Sequence, residues 1–399
     1  MTASTEPGSR PGGTALDGAW RQGELLAQER AVGAGEVVVT APAPFGGGGL
    51  GRHLQEIFQA LERSGADPRC ICESPHPSSP PAAVPPLAVR ARAAVMAPLA
   101  RRSPGWRRWL ASVDFDARAA SSLPRAEQLI AFNGTALAQM SAAPERGYSS
   151  LSLVAANSHF RQVVDRHERA LARYPLESAW PRRLLERNLA EYELADRILY
   201  ASSYIRDSFV EAGIPEHKLV RFPLTPDPRF TPGEGAGESA GEDESAGDGE
   251  DAATAAGSST FDVVYVGSLT VHKGVPLLID AVRLLLHDDL RLKLIGGWGT
   301  RGMRKFVQRA CAEDSRISVT HGDPLPHLRA ARLYVHAAYE DGFAYAAAEA
   351  LAAGVPMLVS EDTGMKELIG AGAGQVLPTG DLAALTQAID AAYRGTVTS

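Results

Sequence analysis

Hydrophobic positions along the chain alternate between short apolar runs of strand length and longer segments in which apolar residues recur every three or four positions. The run "EVVVTA" is followed by a glycine-rich loop and the amphipathic segment "LGRHLQEIFQALERSG". Further apolar runs are "PRCICES", "QLIAFNG", "LSLVAANSHF" and "RILYAS". Strands that alternate with helices predict an open parallel sheet covered by helices.

The same alternation restarts near residue 260. "FDVVYVG", "LRLKLIGG", "ISVTHGD", "LYVHAA", "PMLVS" and "GQVLP" have the length and composition of strands, and helical segments separate them. We therefore predict an α/β fold with two Rossmann-like, doubly wound parallel-sheet domains that face a cleft. In such sheets, ligands bind outside the carboxyl ends of the strands.

Composition sets the domain boundaries. We expect a poorly ordered N-terminal extension over 1–35 with a short helix at "WRQGELLAQERA", an N-terminal domain over 36–230 and a C-terminal domain over 260–399. The segment 231–259 has the composition of a disordered linker, because Gly233–Asp251 holds eight acids and no base. The formal net charge is −7, so the rest of the chain carries −7 + 8 = +1, which argues against a nucleic-acid partner.

The chain's three cysteines, Cys70, Cys72 and Cys311, match neither a disulfide framework nor a zinc-ligand spacing. They are typical of buried thiols in a reducing compartment. The N-terminus lacks the basic and apolar regions of a signal peptide, and no run of about 18 apolar residues occurs. We expect a cytoplasmic protein.

The glycine loop fits G-x-G-x-x-G at Gly46, Gly48 and Gly51, with Glu73 at the end of the next strand. This pattern raises the alternative of an NAD(P)-dependent enzyme that uses the loop at 46–51. However, "PAPF" separates the strand from the first glycine, whereas a dinucleotide fingerprint needs that glycine directly after the strand. An anion-accommodating loop is therefore favoured over a cofactor loop, and a purely structural turn is the other alternative.

A second candidate site is "VGSLTVHKGVPLL", where Lys273 lies between a strand and a helix start. A lysine beside a helix N-terminus can neutralise a phosphate together with the backbone N–H groups. The structural alternative is a lysine on the protein surface. The pattern G-x-x-x-x-G-K-[ST] is absent, so this is not a P-loop.

The stretch "YEDGFAYAAAEALAAG" carries one carboxylate, Glu349, within an Ala-rich helix. At the helix N-terminus, the amides of Gly342, Phe343 and Ala344 are predicted to point into the cleft beside Lys273 and form an anion site. Glu349 is placed to accept both hydroxyls of a ribose. The alternative is that Glu349 forms a salt bridge with a neighbouring Arg or Lys.

Together, "VGSLTVHKGVPLLIDA", "LKLIGG", "HGD" and "YEDGFAYAAAEALAAGVPMLVSEDTGMKELI" resemble the donor-binding domain of the retaining glycosyltransferases of family 4, also called group 1, which have the GT-B fold. The glycine loop with its helix and the stretch "EYELADRILYASSYIRDSFVEAG" are similar to the N-terminal half of that family. The resemblance covers about residues 36–385.

The resemblance implies roles for individual residues. The paired acids of the family's E-x7-E motif fall on Asp341, which would contact the transferred sugar, and Glu349, which would hold the donor ribose. The phosphate-binding lysine falls on Lys273, and its partner arginine is here Ser268. The family's sugar-contacting histidine corresponds most closely to His159 in "NSHF", where a structural role is the alternative.

The resemblance thus implies transfer of a sugar from a nucleotide-sugar donor to an acceptor hydroxyl with retention of configuration. The acceptor and phosphate loop would be Gly48, Gly49, Gly51 and Arg52. No metal and no separate cofactor are implied, since lysine and a helix terminus can take the charge of the leaving diphosphate.

Three departures from the family pattern favour the alternative of a catalytically weak nucleotide-binding homologue or partner subunit. They are Ser268, Asp at 341 instead of Glu, and a chain that ends at Ser399 before the family's long C-terminal helix.

Two further segments carry weaker signals. Residues 90–113 hold six Arg, two Trp and no acid, a composition that suits peripheral membrane contact and hence a lipid-linked acceptor. The alternatives are a polysaccharide acceptor and, for the segment itself, a solvated irregular insertion. "DFD" at Asp114–Asp116 matches a D-x-D metal motif, but we expect this short pattern to be a chance match.

Overall fold

The structure, a computed structural model, describes residues 18–32, 35–74, 76–78, 86–102, 104–231, 260–370 and 372–395. Within these ranges the chain forms two α/β domains, one on each side of residues 232–259. Most of the predicted linker 231–259, including its acidic run, lies outside the described residues.

The N-terminal domain contains a six-stranded sheet in the order β2-β1-β3-β4-β5-β6, and its paired strands are parallel. The short strand β6 was not predicted. The strands are Glu36–Thr40 (β1), Asp67–Ile71 (β2), Gln128–Phe132 (β3), Ser150–Ala155 (β4), Arg197–Tyr200 (β5) and Leu219–Arg221 (β6). The helices are Gly18–Val32 (α1), Gly48–Arg63 (α2), Leu87–Arg102 (α3), Pro104–Ser122 (α4), Leu137–Ala142 (α5), Phe160–Arg173 (α6), Arg182–Leu194 (α7) and Ser203–Glu211 (α8).

The C-terminal domain repeats this plan with the strand order β12-β11-β10-β7-β8-β9, again parallel. Its strands are Phe261–Val266 (β7), Leu290–Ile295 (β8), Ile317–Thr320 (β9), Leu333–His336 (β10), Met357–Ser360 (β11) and Gly374–Leu377 (β12). Its helices are Val275–Leu284 (α9), Arg301–Glu313 (α10), Leu325–Ala330 (α11), Tyr345–Ala352 (α12) and Leu382–Tyr393 (α13). The short 3₁₀ helices are Pro144–Arg146, Glu216–Lys218, Pro228–Phe230 and Gly364–Leu368.

Hydrophobic periodicity explains these elements. Helix α2 buries Leu54, Ile57, Phe58 and Leu61 on one face, at the spacing of three and four that a half-buried helix requires. Strand β10 is buried along its whole length, as expected of a parallel strand covered on both faces. The apolar cluster of the N-terminal domain continues across the interface into Phe343 and Ala347. The two domains therefore pack directly on each other.

One sequence-based expectation is confirmed in the N-terminal domain and one alternative is corrected. The short helix predicted at "WRQGELLAQERA" is present as α1, which is a few residues longer than predicted and buries Val32 completely. Residues 90–102 and 104–113 are not an irregular insertion, since they lie in α3 and α4, and α4 buries Trp109 and Phe115. Their Arg- and Ala-rich sequence shows little helical periodicity of apolar residues, so the helices were not predicted.

Candidate functional site

The candidate site lies between the domains, where the loops after β7 and β10 meet the glycine loop after β1. Each set of loops follows the carboxyl ends of parallel strands, the edge at which such sheets bind ligands. The domains are joined there by polar contacts: Tyr345 donates to Glu56 (2.7 Å), and the backbone N–H of Ser158 donates to Glu340 (3.0 Å). Residues of both domains therefore build the site.

Asp341 is the centre of a charged cluster at the end of β10. Its Oδ2 lies 2.7 Å from Lys273 Nζ and 3.0 Å from His336 Nε2, and its Oδ1 accepts the backbone N–H of Ala344 at 3.1 Å. Burial acts to raise the pKa of Asp341, but Lys273 and His336 outweigh it and hold that pKa well below its usual range. Asp341 is therefore ionised at neutral pH.

Lys273 is held at the site by the backbone around it. The next residue, Gly274, has φ +71°, and a Cβ there would lie 1.8 Å from the carbonyl oxygen of Ala337, so only glycine fits. Besides Asp341, Lys273 Nζ donates to the carbonyl of Glu340 (3.3 Å). An ammonium group has three donors, so Lys273 keeps one for a ligand.

Ser268 lies in the loop that follows β7. The residue is exposed, and its carbonyl accepts the hydroxyl of Tyr265 at 2.9 Å. Its short side chain brings no cation to the loop, so Lys273 is the cation that this domain places beside Asp341.

The N-terminus of α12 differs from the prediction. The Ala344 amide is capped by Asp341, so it does not point freely into the cleft. Gly342 is pressed against the other domain, because Ser202 donates to its carbonyl (2.6 Å) and a Cβ would lie 2.3 Å from the carbonyl oxygen of Ala156. Phe343 is buried, with its ring edge-on to Tyr345 at 5.2 Å. The prediction is therefore corrected for the Ala344 amide, and the anion-binding role of the Gly342 and Phe343 amides stays a prediction.

Ala344 also has an unusual backbone conformation. Its φ is +63°, and it is the one non-glycine residue with positive φ among the described residues. This conformation costs a residue with a Cβ about 1 kcal/mol or more. Strain of this kind concentrates at functional sites, and here it marks the turn that carries Asp341 into α12.

Glu349 lies on the second turn of α12, is 5% exposed and forms an ion pair with Arg52 of the N-terminal domain. The Arg52 guanidinium also lies 4.3 Å from the centre of the Tyr345 ring. Burial raises the pKa of Glu349, and Arg52 opposes this. The salt-bridge alternative thus describes a real contact. Because a carboxylate has about four lone-pair sites on two oxygens, that contact leaves acceptor capacity for a ribose.

The glycine loop packs closely on both of its sides. A Cβ on Gly51 would lie 2.0 Å from the carbonyl oxygen of Pro44, and Gly46 and Gly48 have φ of +73° and +61°. Gly49 faces the Tyr345 ring, 3.6 Å from where its Cβ would be. The loop leads into α2, whose Arg52 meets Glu349 of the other domain, and the predicted contact of Arg52 with acceptor or donor phosphate stays a prediction.

His159 does not have the predicted position. It precedes α6, is 4% exposed and packs between the rings of Tyr192 and Phe209, with centroids at 4.9 and 5.2 Å. Burial lowers its pKa to about 4, and Arg161 adds to this effect. A ring enclosed in this way leaves no surface for a sugar, so the structural alternative holds for His159.

Sequence reasoning missed three residues of the cluster. His336 ends β10 between the rings of Tyr265 and Tyr334, and Glu340 accepts from Asn157 Nδ2 at 3.0 Å. A signal for His336 was present, since it lies at a predicted strand end five residues before Asp341. Nothing in the sequence pointed to Asn157, because its contact crosses the domain interface.

The "DFD" motif has a structural role in the N-terminal domain. Asp116 of "DFD" accepts the N–H groups of Ala138 (2.7 Å) and Gln139 (3.0 Å) and pairs with Arg187, so it stabilises the start of α5. Among the residues that the structure describes, no cluster of three or more His, Cys, Asp or Glu has a metal-binding arrangement. Within the same ranges, no helix combines the length and the apolar character needed to cross a membrane.

Two parallel six-stranded sheets, together with the similarity to solved glycosyltransferase structures given below, confirm the predicted GT-B fold. Residues 260–394 match the family model described as "Glycosyl transferases group 1". The resemblance to group 1 glycosyltransferases seen in the sequence motifs is thereby confirmed.

Individual proteins with related sequence or structure agree with this class. A stretch of 56 residues is 38% identical to the GDP-mannose:glycolipid 4-beta-D-mannosyltransferase of Xanthomonas campestris pv. campestris, covering 14% of this chain and 16% of that protein. Sucrose-phosphate synthase from Thermosynechococcus elongatus has a TM-score of 0.62, 15% identity and 90% coverage of both chains. Anabaena HepE in complex with UDP-glucose has a TM-score of 0.57, 13% identity, and coverage of 91% of this chain and 90% of that one.

Proposed function

We propose that this protein is a glycosyltransferase that moves a sugar from a nucleotide-sugar donor to an acceptor hydroxyl with retention of configuration. The observation that carries the proposal is the cluster of Lys273, Asp341 and Glu349 at the carboxyl edge of the C-terminal sheet, facing the glycine loop. The family match of residues 260–394 and the UDP-glucose complex of HepE support a nucleotide-sugar donor.

Lys273 is assigned to the diphosphate. Its ammonium group keeps one donor after Asp341 and Glu340 take the others, and its charge would stabilise the leaving diphosphate. A preorganised cation of this kind lowers the barrier because it need not reorient as charge develops. With Ser268 in the loop after β7, Lys273 is the one lysine or arginine paired with Asp341 among the described residues.

Glu349 is assigned to the ribose, and Asp341 to the transferred sugar. Asp341 reaches the sugar only if a hydroxyl joins or replaces its contacts to Lys273 and His336. No covalent nucleophile is required in this scheme, since the departing phosphate oxygen takes the proton of the acceptor hydroxyl. No metal is needed for the same step.

The acceptor is assigned to the N-terminal domain, and a lipid-linked acceptor is favoured over a polysaccharide. Helix α3 exposes Leu87 and Val95, each 78% exposed, beside Arg90 and Arg92, which are the features of a surface that meets an anionic membrane. We propose that the protein acts in the cytoplasm, in peripheral contact with a membrane through residues 90–113.

A thermal-shift panel with UDP, GDP, ADP and dTDP tests the donor assignment. A ligand at 100 times its dissociation constant adds about 2.7 kcal/mol of stability, so one nucleotide is expected to raise the melting temperature clearly above the others. Lys273→Ala should lose most of that shift. No shift with any nucleotide would contradict the proposal. A normal shift without turnover on any donor would favour the nucleotide-binding homologue.

A further inference from the structure

A cavity of about 260 Å³ lies in the N-terminal domain beside the candidate site. The loops after β1, β3 and β4 form its walls with one side of α4. Ala156 and Asn157 belong to this wall, and Ala156 is also the residue pressed against Gly342 of the other domain. The cavity therefore adjoins the N-terminus of α12, and its size suits a small group rather than a whole ligand.

Arg108 of α4 is the cation of this cavity. Its guanidinium lies 5.5 Å from the centre of the Trp180 ring. Arg108 is solvent-accessible and has no hydrogen bond or ion pair within the part of the chain that the structure describes. Stacking on an aromatic ring orients the guanidinium plane and leaves its N–H donors available at the edge.

Carboxylates near Arg108 do not neutralise it by contact. The two carboxylate oxygens of Glu340 accept from Asn157 and Ser158, not from Arg108. Glu73 and Arg108 are the charged residues that line the cavity, and among the described contacts they form no ion pair with each other.

Hydrogen bonds of Glu340 connect the cavity lining to Lys273. Asn157 lines the cavity and donates to the carboxylate of Glu340. The backbone carbonyl of Glu340 accepts from Lys273. The donor diphosphate is assigned to the Lys273 side. Arg108 is consequently a second, separate positive charge on the acceptor side.

We propose that Arg108 binds an anionic group of the acceptor, a phosphate or a carboxylate, next to the hydroxyl that receives the sugar. The inference rests on the proposed function and names the acceptor class: an acceptor with an oxyanion, such as a phosphate-linked or an acidic sugar. A guanidinium recognises either group through two parallel N–H···O bonds.

Arg107 supplies a matched control. It is the neighbouring residue of α4 and is exposed, but it lines a different groove together with Trp298, Arg301, Arg304 and Lys305. Arg107→Gln and Arg108→Gln remove the same charge from the same helix. A difference between the two variants therefore reports on the cavity and not on the general charge of the surface.

The test is calorimetric titration of inorganic pyrophosphate into the protein saturated with its preferred nucleoside diphosphate, which fills the Lys273 side. Wild type is expected to bind pyrophosphate, Arg108→Gln to bind it at least about tenfold more weakly, a loss of about 1.4 kcal/mol, and Arg107→Gln to match wild type. Arg108→Lys keeps the charge but not the two parallel N–H donors of the guanidinium, so its affinity for pyrophosphate should lie between those of wild type and Arg108→Gln. This variant replaces Arg108→Gln in the test if Arg108→Gln does not fold. Equal binding by wild type and Arg108→Gln, equal losses in both Gln variants, or no binding to wild type would overturn the proposal.

Two more titrants show whether the anionic group is a carboxylate or a phosphate. Glucuronic acid carries a carboxylate, and glucose is the matched sugar without one. Binding of glucuronic acid that depends on Arg108 indicates a carboxylate, and dependence limited to pyrophosphate indicates a phosphate. If the proposed function is wrong, no nucleoside diphosphate binds to wild type, and this result is distinct from a failure of the Arg108 proposal. In that case the pyrophosphate titrations without nucleotide still decide the role of Arg108.

Discussion

Glu349→Gln tests the ribose assignment against the salt bridge that the structure shows. The substitution keeps the size of the side chain and one acceptor oxygen but removes the charge. If Glu349 holds the ribose, affinity for the preferred nucleoside diphosphate falls by about 1.5–3 kcal/mol, the value of hydrogen bonds to a charged group. This corresponds to about 10- to 150-fold in dissociation constant.

The ion pair adds a stability effect that must be separated from binding. The side chains of Glu349 and Arg52 are 7% and 23% exposed, so the pair lies between exposed pairs, worth about 0–1 kcal/mol, and buried ones, where loss of one partner costs about 3–5 kcal/mol. We expect Glu349→Gln and Arg52→Gln each to destabilise the protein by about 1–3 kcal/mol. Urea unfolding without ligand measures this effect.

The assay that separates the two roles is titration calorimetry of the nucleotide and its 2′-deoxy form. Wild type and Arg52→Gln should both discriminate between the two forms, because each keeps the Glu349 carboxylate. Glu349→Gln should lose most of this discrimination, since the mutation and the deoxy change remove overlapping contacts. The reasoning is refuted if Glu349→Gln discriminates as well as wild type while its stability loss equals that of Arg52→Gln. Glu349 would then be structural.

Four further outcomes are expected. Lys273→Ala should lower turnover at saturating donor by at least about 100-fold, and retention of half the wild-type rate would contradict its assignment. Deletion of 233–257 with a short Gly/Ser bridge should leave nucleotide binding unchanged in a binding assay, because a segment of this acidic, Gly-rich composition is expected to bury little surface; loss of binding in soluble protein would show that the segment is functional. Burial and then Arg108 lower the pKa of His167 to about 4, whereas an unfolded histidine titrates near 6.5. Its contribution to stability is therefore complete above about pH 6.5 and is lost as pH falls toward 4, so urea unfolding at pH 7.5 and 5 should show a smaller loss in His167→Phe than in wild type. NAD should not raise the melting temperature, and a clear rise would revive the cofactor role of the loop at 46–51.

Much of the fold was predictable because both domains repeat a strong local pattern. Buried parallel strands such as β7 and β10 are nearly continuous apolar runs, and α2 shows the spacing of a half-buried helix. Strand β6 has three residues, and α3 is rich in Arg and Ala with an internal proline. Neither pattern resembles an amphipathic element, so their packing against the rest of the domain decides their structure.

The site was predictable only where a local motif carries it. Lys273, Asp341 and Glu349 follow from their own neighbours in the sequence. Arg52 and Glu349 are 297 residues apart, and their contact depends on how the two domains pack. His159 shows the limit of a loose local match, because Asn157, two residues earlier, is the residue that contacts Glu340 across the interface.

Donor hydrolysis followed by ¹H NMR tests the central claim most directly. Wild-type protein is incubated with the nucleotide sugar whose nucleotide gives the largest thermal shift, and the anomeric protons of the released sugar are recorded before mutarotation. We predict slow release of the sugar with the anomeric configuration of the donor, and a rate at least about 100-fold lower for Lys273→Ala. Release of the opposite anomer, or equal rates for wild type and Lys273→Ala, would contradict the account.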